Sequence, residues 1–131
     1  MTRQKQRRIA FQLIYALNYQ GPDQVESVLE EFYNQQENGE HIPYIDETVR
    51  GICTHWDEIN RAIEPALANW SMKRVSAVCL AILRVATFEL KMNPDIPERV
   101  AINEAIELAK EFGDEDAGPF VHGVIGHIAA K

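Results

Sequence analysis

The stretch VSAVCLAILRVATFEL (75–90) is apolar on nearly every side of a helix, and this constrains the fold more than any other feature of the chain. A surface helix buries one stripe, whereas a helix apolar all round is enclosed by other elements. Its charges sharpen the requirement. Arg84 interrupts the run and Glu89 follows five positions later; a buried charge has to be paired and hydrogen-bonded. For Arg84 the sequence predicts a structural role, with helix-end carbonyls or a nearby carboxylate as partners.

The rest of the chain supplies the surround. In the first segment Ile9, Leu13, Ala16 and Leu17 recur at i, i+4, i+7 and i+8, one helical face, broadened by Phe11, Ile14 and Tyr15. Gly21 and Pro22 end that helix. A second helix is expected over about 23–35, with Val25, Val28, Leu29 and Phe32 inward, followed by the polar loop ENGEHIP (37–43). Pro43 suits the first position of a third. Its inner face is Tyr44, Ile45, Thr48, Val49 and Ile52, and the pattern continues through Trp56, Ile59 and Ile63 with a break near Gly51 or Pro65. Ser71 is expected to cap the central helix, placed at 72–91. Beyond NPDIPE, Val100, Ile102, Ala105, Ile106 and Ala109 trace a further helix closed by Gly113. Asp116 then caps the last one, with Pro119 in its first turn and Val121, Val124, Ile125 and Ile128 on its core side. No strand-like alternation competes. The 131 residues fit one domain. The predicted fold is all-α: a compact helical domain over 1–131, two small helical bundles around a central helix, with subdomains of about 1–70 and 71–131.

Several function classes are set aside by what the pattern lacks. GxSxG, Walker and GxGxxG motifs are missing, so neither an enzyme nor a bound cofactor is expected. His122 and His127 are five apart and do not share the face that a HExxH site needs, and the DED run at 114–116 reads as helix capping, so no metal site is expected. Glu104, Glu107 and Lys110 are spaced for exposed ion pairing. Cys53 and Cys79 belong to no CxxC and fall in apolar helical patterns, which predicts buried free thiols and a reducing compartment. Gln12, Asn18 and Gln20 break the apolar run that a signal peptide requires, and no stretch is long enough to span a bilayer. A soluble cytoplasmic protein without membrane contact is the expectation.

Charge is unevenly placed. Residues 1–22 hold four cations (Arg3, Lys5, Arg7, Arg8) and no acid; the remainder carries nine cations against twenty acids, and the net charge is −7. A basic block on an acidic body can meet a polyanion while the body repels it. A flexible basic tail that aids solubility is the alternative. If the helix begins near Thr2, Arg3 and Arg7 adjoin Lys5 and Arg8 on exposed strips, and Arg8, Gln12, Tyr15 and Tyr19 lie along one face. Cations interleaved with an amide and aromatic rings suit single-stranded RNA: cations for phosphates, rings for base stacking, an amide for a base edge. Core packing with the hydroxyl outward is the competing reading for Tyr15 and Tyr19. Double-stranded DNA fits less well, since no second basic helix is present.

Three stretches, RRIAFQLIYAL, LAILRVATFEL and VAINEAIELAKEFGDEDAGPFVHGVIGHI, together with NWSMKR, resemble the NusB family of bacterial transcription antitermination factors, in the family's order and over almost the whole chain. The resemblance implies an all-helical, non-enzymatic protein. It implies binding of the boxA element of ribosomal RNA leaders together with the ribosomal protein NusE, within the RNA polymerase elongation complex. Arg7, Gln12 and Tyr15 match the family's RNA motif in the first helix, while Arg3, Lys5 and Arg8 extend that face by charge alone. Asp116 and Phe120 match the start of the last helix, which lies near RNA in the family, and the central helix and the turn after it resemble the NusE surface. Cys79, Leu80, Pro119 and His122 depart from the family pattern and leave an altered RNA preference open. Self-association, as a homodimer, is also left open. A protein-interaction module of the same fold without direct RNA contact is the runner-up. An RNA methyltransferase appendage is the third reading; no cofactor-binding half follows IAAK, which sets methyl transfer aside.

Overall fold

A computed structural model describes residues 1–68 and 70–131; Asn69, part of the NWSMKR likeness, lies outside the described residues. Among them are seven α-helices and no strand: α1 (Arg3–Gln20), α2 (Val25–Asn34), α3 (Pro43–Thr54), α4 (Trp56–Ile63), α5 (Ala77–Met92), α6 (Glu98–Phe112) and α7 (Ala117–Ala129). The all-α expectation holds.

α5 is the axis. Every residue from Cys79 to Glu89 is buried, and α1, α3, α4, α6 and α7 all pack against it. Its cap is Ser76, whose hydroxyl accepts from the Cys79 N–H at 3.1 Å. Ser71 instead precedes a short 3-10 turn (Met72–Arg74) and makes no side-chain cap bond. The turn and Val75 separate the two serines, so the helix starts later than the apolar pattern does.

Helix breaks shape the first half. α1 ends at Gly21, whose φ of 94° lies where side chains are strained, and whose N–H closes on the Leu17 carbonyl at 2.8 Å. The long third pattern breaks at His55, which ends α3 and precedes α4, and again near Pro65, one of the two expected places, where α4 gives way to a 3-10 turn (Glu64–Leu67). Gly51 stays helical for a packing reason: a Cβ there would run into the Phe88 ring. The predicted inner face of α3 is buried throughout, and so is that of α7. Asp116 stands at the N-cap position of α7 without a side-chain cap bond; the Asp114 carboxylate accepts the Asp116 N–H at 3.0 Å instead.

α1 is rotated relative to its apolar pattern. Its buried residues are Arg7, Ala10, Phe11, Ile14 and Leu17, while Ile9 and Leu13 lie at the edge of the core. That rotation decides which of its cations can meet a ligand.

Candidate nucleic-acid interface

At 100° per residue, Arg3, Arg7, Ala10, Ile14 and Leu17 share the inward half of α1. Lys5, Arg8, Gln12, Tyr15 and Tyr19 occupy an outward arc of about 80°. The sequence places Arg7 among the exposed cations; its side chain is in fact 4% exposed. Its Nε donates to both carboxylate oxygens of Glu89 at 3.1 Å, and its Nη1 lies 3.7 Å from Glu104. The Tyr44 hydroxyl donates to the same Glu89 carboxylate at 2.6 Å. Burial, and then the Glu89 charge, raise the Tyr44 pKa well above its ordinary value, so Tyr44 stays a donor. Four helices, α1, α3, α5 and α6, therefore meet at one charged cluster. The signal was present in the spacing: Arg7, Phe11, Ile14 and Asn18 fall at i, i+4, i+7 and i+11, the arc that faces α5.

The other predicted cations differ in freedom. Arg3 is exposed and its guanidinium lies 4.4 Å from the centroid of the Tyr44 ring. Lys5 is exposed, and its backbone N–H is capped by the Thr2 hydroxyl at 3.1 Å. Arg8 is partly exposed and bonded to Glu111 of α6 at 2.9 Å. Gln4 reaches Glu104 at 3.0 Å. Glu104 and Glu111 thus turn toward α1, and within the predicted Glu104–Glu107–Lys110 set only Glu107 and Lys110 pair, at 3.7 Å.

Gln12 is exposed, Tyr15 is 37% exposed and Tyr19 68% exposed. The two phenol rings meet edge to face, 5.5 Å between centroids and 70° between planes. Core packing of these rings, the competing expectation, is not what the structure has. Phe11, on the other side of α1, packs against Phe112 at 4.9 Å, one turn before the loop that starts α7. Asp116 is exposed on that loop. Phe120 is partly buried and lines a groove of about 280 Å³ with Trp70, Arg74, Cys79 and Asp116. Cys79 and Leu80 are both buried, so these departures alter packing rather than an exposed surface.

Arg84 is buried without a carboxylate. Its Nε donates to Asn60 Oδ1 at 3.1 Å and its Nη1 to Asn18 Oδ1 at 2.9 Å, and Trp56 covers it with 4.1 Å between guanidinium and ring centroid. The expected structural role stands, but its partners are amide oxygens and an indole. Burial pulls its pKa down to about 10, which leaves it charged at neutral pH.

No group of three or more His, Cys, Asp or Glu among the described residues could hold a metal ion, and no helix among them is long and apolar enough to cross a membrane. Fold and surface together define an all-helical protein that presents a charged and aromatic helix face.

The chain belongs to the NusB family, whose model matches residues 4–130. It is similar to the transcription antitermination protein NusB of Geobacter sulfurreducens, 40% identical over 126 residues, 95% of this chain and 91% of that protein. The protein of the same name from Clostridium botulinum (strain Kyoto / Type A2) is 37% identical over 98% of this chain and 99% of its own length. Among solved structures, T. maritima NusB matches with a TM-score of 0.82 and 31% identity, covering 100% of this chain and 92% of that one. A chain in the crystal structure of a plectonemic RNA supercoil matches with a TM-score of 0.78 and 27% identity, covering 98% of this chain and 96% of its own. The two relatives from Geobacter sulfurreducens and Clostridium botulinum are both named as transcription antitermination proteins.

Proposed function

We propose that this chain binds boxA-type single-stranded RNA of ribosomal RNA leaders through the outward stripe of α1, and does so with the ribosomal protein NusE in the RNA polymerase elongation complex. One observation carries the reading: Lys5, Arg8, Gln12 and Tyr15 share one solvent-facing arc on a protein of net charge −7. Lys5 and Arg8 neutralise phosphates, Gln12 meets a base edge, and Tyr15 stacks on a base. Arg3 flanks the stripe from the Tyr44 side. Arg7 contributes from inside, fixing the roll of α1 through Glu89, so its part is positioning. Asp116 and Phe120, at the start of α7, supply an acceptor and a ring edge for a further nucleotide. That a structural neighbour comes from a crystal of an RNA supercoil supports an RNA ligand.

The test is a titration of boxA-like RNA, with and without NusE, at several salt concentrations. Binding tightens with NusE and weakens steeply with salt, by about 0.7 log units per tenfold salt for each neutralised phosphate of a single strand. The paired change Lys5→Glu, Arg8→Glu abolishes RNA capture with helicity intact. Salt-independent affinity, or undiminished capture by that variant, overturns the proposal in favour of a purely protein-binding module.

A further inference from the structure

Tyr19 is the most exposed aromatic ring of the described chain, at 68%, on the last turn of α1. Tyrosine is enriched at binding interfaces, where an apolar ring and a polar hydroxyl both find partners. Tyr19 is not isolated. It continues the line of Lys5, Arg8, Gln12 and Tyr15 within the same outward arc. It is also held from two sides: the Tyr15 ring meets it edge to face, and the Gly21 cap fixes the helical turn that carries it.

Resting on the RNA reading above, we infer that Tyr19 is a second base-stacking platform, which extends the site by one nucleotide toward the C-terminal end of α1. The ring geometry also specifies the form of RNA. With 70° between their planes, Tyr15 and Tyr19 cannot both lie parallel to two bases that remain stacked on each other. Two bases seated on these rings must be splayed, which a single strand does and an A-form duplex does not. No acidic side chain of α1 lies on the arc, and Glu111 of α6, the acid bonded to it, meets Arg8 two turns before the Tyr15–Tyr19 pair. The preference for splayed bases comes from ring orientation, whereas Lys5 and Arg8 supply attraction blind to base and to strandedness.

The experiment uses the full chain and boxA-like RNA oligonucleotides carrying 2-aminopurine at successive positions. In the unmodified protein, two positions change their fluorescence on binding. Tyr19→Ala loses one of the two signals and weakens affinity about tenfold, within the range seen when one stacking ring is removed. Tyr19→Phe keeps both signals. A fully paired competitor of the same sequence, held by Lys5 and Arg8 alone, displaces the labelled strand far less effectively than an unlabelled single strand does, and equal displacement by the two refutes the splayed-base platform. If Tyr19→Ala binds and reports as the unmodified protein does while Lys5→Glu, Arg8→Glu fails to bind, the second platform is refuted and the RNA reading stands. If Tyr19→Ala instead lowers NusE binding with RNA affinity unchanged, Tyr19 belongs to a protein contact and the inference is refuted. Should the unmodified protein not bind RNA, both fall together.

Discussion

Arg7 and Glu89, 82 residues apart in the chain, close on each other through two 3.1 Å bonds in a site almost sealed from solvent. Removing one member of a buried ion pair strands the other charge, which costs about 3–5 kcal/mol. Arg7→Ala therefore lowers the midpoint of urea unfolding sharply, while Arg8→Ala, which removes only an exposed ion pair, stays within about 1 kcal/mol of the parent. Arg7→Lys recovers only part of the loss, because an ammonium cannot reproduce the planar donor geometry of a guanidinium. Denaturant titration of the three variants decides it. An Arg7→Ala protein as stable as the parent, yet defective in RNA capture, would put Arg7 on the ligand rather than in the core. The pairing also bears on charge reversal: Arg7→Glu sets a third acid beside Glu89 and Glu104 and unfolds the protein, so Lys5 and Arg8 are the cations to reverse.

Arg8 and Glu111 are bonded at 2.9 Å, with both side chains nearly half exposed. An RNA phosphate and the Glu111 carboxylate compete for the same guanidinium. An exposed ion pair of this kind contributes about 0.2–1 kcal/mol, so Glu111→Gln tightens RNA binding by at most about fivefold. It also steepens the salt dependence, since Arg8 is released from an internal counter-charge. Isothermal titration at two salt concentrations measures both. Weaker binding by Glu111→Gln would mean that the pair holds Arg8 in its binding pose instead of withholding it.

Gly51 and Phe88 are matched by absence: the ring occupies the space a Cβ would take. Gly51→Ala keeps a helical backbone but overpacks the α3–α5 contact, at a cost of about 1–3 kcal/mol. Phe88→Leu opens that space, so the double variant is more stable than the two single losses added together predict. Thermal unfolding of the four proteins in this cycle gives the coupling. Strict additivity would show that the backbone yields and the ring does not matter.

The all-α fold was legible wherever a local pattern and its burial coincide. The inner face of α3, the core side of α7 and the encircled α5 could all be read from spacing, because the apolar residues there define the face by themselves, even where Asp46, Arg84 and Glu89 are buried among them. The first helix was harder. Ile9 and Leu13 suggested one face, and the buried arc lies elsewhere because it admits Arg7. Nothing near Arg7 in the chain announces that α5 will bring Glu89, α3 Tyr44 and α6 Glu104 to it. The cap of α5 went to Ser71 in the sequence for a related reason: the 3-10 turn at Met72–Arg74 is invisible to a periodicity of 3.6. For the candidate interface, the outward line of Lys5, Arg8, Gln12, Tyr15 and Tyr19 is a local property of one helix and could be read. The acids that restrain it come from α6 and could not.

Cys53 lies on α3, and burial pushes its thiol pKa up to about 12, against 9.0 for the free group, outweighing the attraction of the Arg84 charge. Alkylation requires the thiolate. Native protein at pH 8 therefore reacts slowly with iodoacetamide at Cys53, and at Cys79, whose thiol burial also raises. Unfolding in denaturant restores the rate of an ordinary cysteine. The same shift has a stability consequence. The native state holds the Cys53 proton more tightly than the unfolded chain does, so the stabilising contribution is complete below pH 9 and is lost as pH rises toward about 12. Between those limits it declines by at most about 1.4 kcal/mol per pH unit. Cys53→Ser removes this dependence and leaves the remaining alkaline profile in place. Mass spectrometry of pulsed alkylation, with urea midpoints from pH 8 to 10.5, measures both effects. Rapid native labelling of Cys53 at pH 8 would show that α3 opens locally, at a free energy far below that of global unfolding.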